Sequence, residues 1–222
     1  GETYYHSLSF LFDETEFIEQ IRMHSRLMQN LFGYTPVTFR NTELIYSDKI
    51  AEILTRLPHF KTILTEGADK ILGWKSPLYV YSAHQHKQLL LLKYYPLSDD
   101  IAFRFSDKNW SQYPLTVDKF VQWLEKLPLI ENQGRQLYLN LFLDYETFGE
   151  HQWSDTGIFD FVKHLPEHVL SNSFMQFTQP CQVPGMLNYE PEKLSVPQPI
   201  SWADTERDMS AWLSNSLQNS AL

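Results

Sequence analysis

Two acids stand at positions that suit chemistry. Asp144 opens the run Asp144-Tyr145-Glu146-Thr147-Phe148-Gly149-Glu150-His151, and Glu43 closes the segment Val37-Thr38-Phe39-Arg40-Asn41-Thr42-Glu43. Each follows a segment that reads as a strand, and the carboxyl ends of strands are where α/β barrels keep their chemistry. Two carboxylates delivered by two strand ends suit acid/base work on a glycosidic bond. On the residues alone, Asp144 fits a capping aspartate at a strand end equally well. Glu43 taken by itself fits a surface ion pair with Arg40 or Lys49 better than catalysis.

The segments around these acids alternate between helix and strand patterns. Gln136–Leu143 is almost wholly apolar and reads as a strand buried on both faces, the habit of parallel sheets. Asp13 with Glu16 forms a D-x-x-E capping box. It opens a helix that carries Phe17, Ile18, Ile21, Met28, Leu31 and Phe32 on one stripe and closes at Gly33. A strand at Val37–Asn41 follows, and continued extension would point Asn41 and Glu43 to the same side. Ser47 caps a second helix to about Leu57, and Phe60–Glu66 reads as another short strand ending in an acid. The alternation predicts an α/β fold with a parallel sheet.

The middle of the chain is less legible. Leu89–Leu92 fits either strand or helix core, and Ile101–Phe105 alternates like a strand. Thr116 caps an amphipathic helix ended by Pro128, and another helix starts at Asp155 or Thr156. The proline-rich stretch Gln179–Pro199 predicts a long stiff loop. Ser201, with Asp204 three residues on, is expected to cap a last helix carrying Asp208 and Trp212 one turn apart.

Longer literal runs carry a resemblance. Thr38-Phe39-Arg40-Asn41-Thr42-Glu43-Leu44-Ile45-Tyr46, the Asp144–His151 run and Ser201-Trp202-Ala203-Asp204-Thr205-Glu206-Arg207-Asp208-Met209-Ser210-Ala211-Trp212 resemble signature regions of glycoside hydrolase family 57. Glu2-Thr3-Tyr4-Tyr5-His6-Ser7-Leu8 looks like the tail of an earlier signature. The resemblance covers essentially the whole chain and is strongest to the α-amylase-like branch. It implies an incomplete, distorted (β/α)7 barrel, with residues 1–222 as one partial catalytic domain. Its first strand would lie before Gly1, and part of its helical C-terminal region after Leu222.

The resemblance also implies roles. Glu43 becomes the nucleophile and Asp144 the general acid/base of a retaining α-glucan hydrolase. Arg40 and Asn41 could orient Glu43 and hold it ionised, while desolvation and the Glu43 charge would raise the Asp144 pKa. His6, Arg40, Asn41, Glu146, His151, Asp208 and Trp212 are the candidate sugar-binding residues. Trp202 and Asp204 are alternatives to the last pair, and Trp153 is a possible stacking platform. A 4-α-glucanotransferase or branching enzyme differs only in the acceptor. A non-catalytic glucan-binding homologue has no need of both acids, and a metal-dependent deacetylase would need spaced histidines that the chain does not show.

Composition sets outer bounds. The chain has 222 residues, 43% of them hydrophobic, and a net charge of −9. That is enough for one real core. It argues against nucleic acid as a main partner, because phosphate binding needs an excess of Lys and Arg. The 6 Trp and 12 Tyr suit a carbohydrate partner, and equally an aromatic core. No run approaches the ~18 apolar residues of a membrane span. The single cysteine, Cys181, is expected to be buried and inert. It excludes an internal disulfide and favours a reducing, cytoplasmic setting. His84-Gln85-His86 lacks a third ligand nearby and reads as a solvent-facing loop, so neither metal nor cofactor is expected.

Overall fold

The computed structural model describes residues 1–131 and 134–221. Five strands form one sheet: β1 (Thr38–Arg40), β2 (Thr62–Thr65), β3 (Tyr81–Ala83), β4 (Leu89–Leu92) and β5 (Lys193–Leu194), in the order β1-β2-β4-β3-β5. β1, β2 and β4 run parallel, with Thr38 beside Thr62 and Thr62 beside Leu89. β3 returns antiparallel to β4 and pairs in parallel with β5. The fold is therefore mixed α/β, an open five-stranded sheet with a parallel centre.

Six of the helices matter for the site: α1 (Glu14–Phe32), α2 (Asp48–Leu54), α3 (Asp69–Leu72), α4 (Tyr95–Ala102), α5 (Val117–Glu131) and α6 (Ile158–Leu170). α2 makes the crossover from β1 to β2 that parallel neighbours require. One sheet face presents Phe39, Ile63, Leu90 and Leu92 to Phe17, Ile21, Ile50 and Leu54 of α1 and α2. The other presents Leu64, Leu89 and Leu91 to Val80, Tyr138 and Val183. Coverage on both faces explains the unbroken leucines of β4. A second core joins α4, α5 and α6 through Leu97, Ile101, Phe120, Leu124, Ile158 and Phe161. No helix is long and apolar enough to cross a membrane.

Several sequence expectations change here. Asp13 caps α1 by accepting from the N–H groups of Thr15 and Glu16, and Gly33 closes it at φ 68°. The capping box stays open, because Glu16 accepts from Gln20 instead. The distal end of the α1 stripe is uncovered, with Leu31 and Phe32 exposed. Ile101–Phe105 is not a strand: α4 runs through Ala102, with Pro96 in its first turn. α5 continues through Pro128 to Glu131, because the ring removes only one ladder bond near the helix end. α6 starts at Ile158 after a 3-10 turn at Ser154–Thr156 and Gly157 at φ 84°.

Gln136–Leu143 is an extended run rather than a strand, and it touches the sheet through one bridge, Asn140 to Lys93. Leu139, Leu141 and Leu143 are half-buried against the second core. Gln179–Pro199 is interrupted by the helical turn Val183–Met186 and by β5. The helix expected from Ser201 shrinks to Ser210–Leu213, because Asp204 and Arg207 both adopt φ 49°, outside the right-handed helix region. Cys181 is exposed, not buried. His84 and His86 lie in the β3–β4 turn, as expected of a loop.

Candidate active site

The carboxyl ends of the central strands carry charge in every case. β1 leads to Glu43, β2 to Glu66, and β4 to Lys93. Asn140 is held beside β4, accepting from Tyr94 N–H at 2.9 Å and donating through Nδ2 to Leu92 O at 3.0 Å. That anchor fixes the run that ends in Asp144.

Glu43 sits in a 3-10 turn, Thr42–Leu44, at φ 53°, ψ 27°. A non-glycine residue in this left-handed region costs roughly 1–3 kcal/mol and persists only where its surroundings hold it. Here Ser201 Oγ donates to Glu43 O at 2.9 Å, and the Trp202 backbone N–H donates to the same oxygen at 3.2 Å. The side chain is held as well. Trp202 Nε1–H donates to Oε2 at 2.8 Å, and His6 Nε2 lies 3.2 Å from Oε1. His6 is itself at φ 51°, and its carbonyl accepts from Thr42 Oγ1 at 3.2 Å.

The expected helpers of Glu43 are elsewhere. Arg40 Nη2 binds Glu2 at 2.7 Å. Asn41 is 1% exposed, and neither of its amide atoms has a partner among the described residues. The reason is geometric: the turn at Thr42 ends the extension, so the shared parity of Asn41 and Glu43 is lost. Trp202, read in the sequence only as an alternative, is the aromatic residue that touches Glu43. Asp208 accepts instead from Ser210 N–H and pairs with Lys70 at 3.1 Å, and these contacts hold its carboxyl below the ordinary range. Trp212 packs half-buried against the first core.

Asp144 stands exposed at the rim, just before the 3-10 turn Tyr145–Thr147. Its carboxyl is pushed above the ordinary range, first by desolvation and then by the charges of Glu146 and Glu43, against the pull of His151 and Lys93. Glu43 and Asp144 thus lie within each other's field. Glu146 and His151 are exposed on the same loop, where His151 N–H donates to Glu146 O at 3.1 Å. Gly149, at φ 120°, provides the backbone freedom this loop needs. A separate cavity of about 270 Å³, lined by Trp74, Tyr79, Tyr81 and Arg135 among others, contains neither acid. Among the described residues, no three His, Cys, Asp or Glu side chains cluster as metal ligands.

Residues 1–197 match the model of Glycosyl hydrolase family 57. The chain belongs to that family. A protein of Methanocaldococcus jannaschii named "Putative alpha-amylase" is 48% identical over 221 residues, which is 98% of this chain and 45% of that protein. The chain therefore spans a little under half the length of this curated relative. Among solved structures, a branching enzyme of Thermococcus kodakaraensis superposes with a TM-score of 0.72 at 13% identity, over 98% of this chain and 51% of that one. A 4-alpha-glucanotransferase of Thermococcus litoralis gives 0.70 at 16% identity, over 95% and 31%. The alpha-amylase AmyC of Thermotoga maritima gives 0.69 at 13% identity, over 92% and 51%. At these identities the structural likeness establishes the family-57 fold and nothing finer.

Proposed function

We propose that the chain carries the reacting carboxylates of a retaining α-glucan hydrolase of the α-amylase type. Glu43 attacks the anomeric carbon of an α-1,4-linked glucose unit. Asp144 gives its proton to the departing glycosidic oxygen, leaving a covalent glycosyl-Glu43 ester. Water then attacks that ester, Asp144 recovers a proton from the water, and Glu43 leaves as the free carboxylate. Atoms and charge balance over the two steps, and no cofactor enters.

The observation that carries this reading is the contrast between the two environments. Glu43 is pinned by two ring nitrogens, one of them an N–H donor, which suits a carboxylate that must be aimed at one carbon. Asp144 is pushed upward by desolvation and by the neighbouring acids, which suits a group that must hold a proton. Two acids with divergent environments are the mark of an acid/base division of labour. His6, Trp202, Glu146 and His151 line the approach to the pair and are proposed to touch the sugar.

The direct test is covalent trapping in the full-length protein. A 2-deoxy-2-fluoro α-glucosyl fluoride slows breakdown of the ester, so peptide mass mapping should find the added sugar on Glu43. Its appearance on another residue, or no trapping by a protein that turns over starch, refutes the assignment. A 4-α-glucanotransferase would form the same ester but pass it to a sugar hydroxyl. Growth of reducing ends with time distinguishes hydrolysis from redistribution of chain lengths.

A further inference from the structure

Behind Trp202, the residue that touches Glu43, lies a group of four ionisable side chains that the two reacting carboxylates do not account for. The Glu66 side chain is wholly buried and that of Lys93 is 8% exposed. Lys93 Nζ lies 3.3 Å from Asp99 Oδ1 and 3.9 Å from Glu66 Oε2. Arg207 closes the group, with Nε 4.0 Å from Glu66 Oε2 and Nη2 3.9 Å from Asp99 Oδ2. Gly67 N–H donates to Glu66 Oε1 at 2.7 Å. A side chain at position 67 would collide with the Lys93 carbonyl, so this glycine lets the ends of β2 and β4 come together.

Stability does not explain the group. Ions taken out of water are poorly repaid by their partners, and well-packed apolar replacements often serve as well or better. The geometry points instead along a chain of contacts. Lys93 Nζ lies 5.0 Å from the centroid of the Trp202 ring, within cation–π range. The same indole donates through Nε1–H to Glu43 at 2.8 Å. Lys93 also acts on the other acid, since its charge favours the ionised form of Asp144.

We propose that Lys93 is a positioning residue for both carboxylates: clamped by Glu66 and Asp99, it seats the Trp202 indole on Glu43 and places a positive charge near Asp144. This rests on the glycosidase reading above. A cation over the indole face fixes the ring plane and strengthens its N–H as a donor. The charged groups acting on Asp144 are Glu146 and His151 from its own loop, Glu43 from the end of β1, and Lys93 from the end of β4. Lys93 is the one that links the two sides.

The test uses Lys93→Met and Lys93→Arg in the full-length protein, with the indole N–H resonance of Trp202 assigned by its loss in Trp202→Phe. Lys93→Met should displace that resonance. It should also lower kcat/KM for natural and activated α-glucosides alike, by about a hundredfold, the usual cost of a misplaced reacting group. Without the cation Asp144 ionises less readily, so the alkaline limb of the pH profile should move to higher pH. Lys93→Arg should restore all three readouts. If Lys93→Met folds poorly, the double variant Glu66→Gln/Lys93→Met removes the buried acid together with the cation and should show the same displaced resonance. A resonance or an alkaline limb that stays at its wild-type position overturns the proposal. If the wild type fails to act on α-glucans, the glycosidase reading falls, and the indole resonance still decides whether Lys93 seats Trp202.

Discussion

The indole N–H of Trp202 lies 2.8 Å from Oε2 of Glu43, across 159 residues of sequence. His6 approaches the other carboxylate oxygen, so both oxygens of Glu43 are engaged. A carboxylate held in this way and set on a left-handed backbone has little freedom to turn. If the same carboxylate is the nucleophile, Glu43→Gln should abolish turnover while leaving the fold intact. Glu43→Ala should be partly rescued by azide, a small anion that fills the vacated space and attacks the same carbon. Azide-dependent formation of a glycosyl azide, followed by mass spectrometry, is the check. No rescue at any azide concentration, in a folded variant, would count against Glu43.

Asp144→Asn separates the acid role from simple binding. A general acid contributes on the order of 10²–10⁴-fold, and only where the leaving oxygen needs a proton. Starch oligomers should therefore lose activity in about that range, while an α-glucosyl fluoride should lose far less in its first step. Equal losses on both substrates would refute the acid role.

The pH profile gives a signed version of the same claim. Asp144 must be protonated to act, and its surroundings hold its carboxyl above the ordinary range, so the alkaline limb of kcat/KM should lie above that of a free aspartate. Glu146→Gln removes a negative neighbour. Asp144 then ionises more readily, and the limb should move to lower pH. His151→Ala removes a group that favours the ionised form, so the limb should move the other way. Shifts in the same direction would exclude an electrostatic cause.

Glu43 and Asp144 drew attention in the sequence because each follows a segment with strand character, and the roles proposed for them come from the resemblance of their runs to family-57 signatures. The rest of the site was less visible, for physical reasons. Leu89–Leu92 fits strand or helix by periodicity, so Lys93 could not be placed at a strand end until pairing with β2 fixed it. Ile101, Phe103 and Phe105 alternate like a strand, yet the proline in the first turn at Pro96 was the stronger signal and starts α4. Trp202 reaches Glu43 from a segment in which Asp204 and Arg207 adopt positive φ and the expected helix is broken into turns. Nothing in the identities of those two residues announces that conformation. The apolar run before Asp144 suggested a fully paired strand, but one bridge at Asn140 is enough to aim it.

Glu66 should leave its mark on stability. Burial pushes its carboxyl up to about 7, against the pull of Lys93, the Gly67 N–H and Arg207. A raised pKa means that the folded state holds the proton more tightly than the unfolded chain. The stabilisation is therefore complete below the unfolded value near 4.5 and disappears as pH rises through about 7. A shift from 4.5 to about 7 corresponds to roughly 3 kcal/mol. Glu66→Gln keeps an oxygen for the Gly67 N–H and has no proton to lose. Its stability relative to wild type, from urea midpoints at pH 5 and pH 8, should improve by roughly that amount between the two. Wild type and variant that track each other in parallel across this range would mean that Glu66 is ionised throughout, and that Lys93 and Arg207 neutralise it fully.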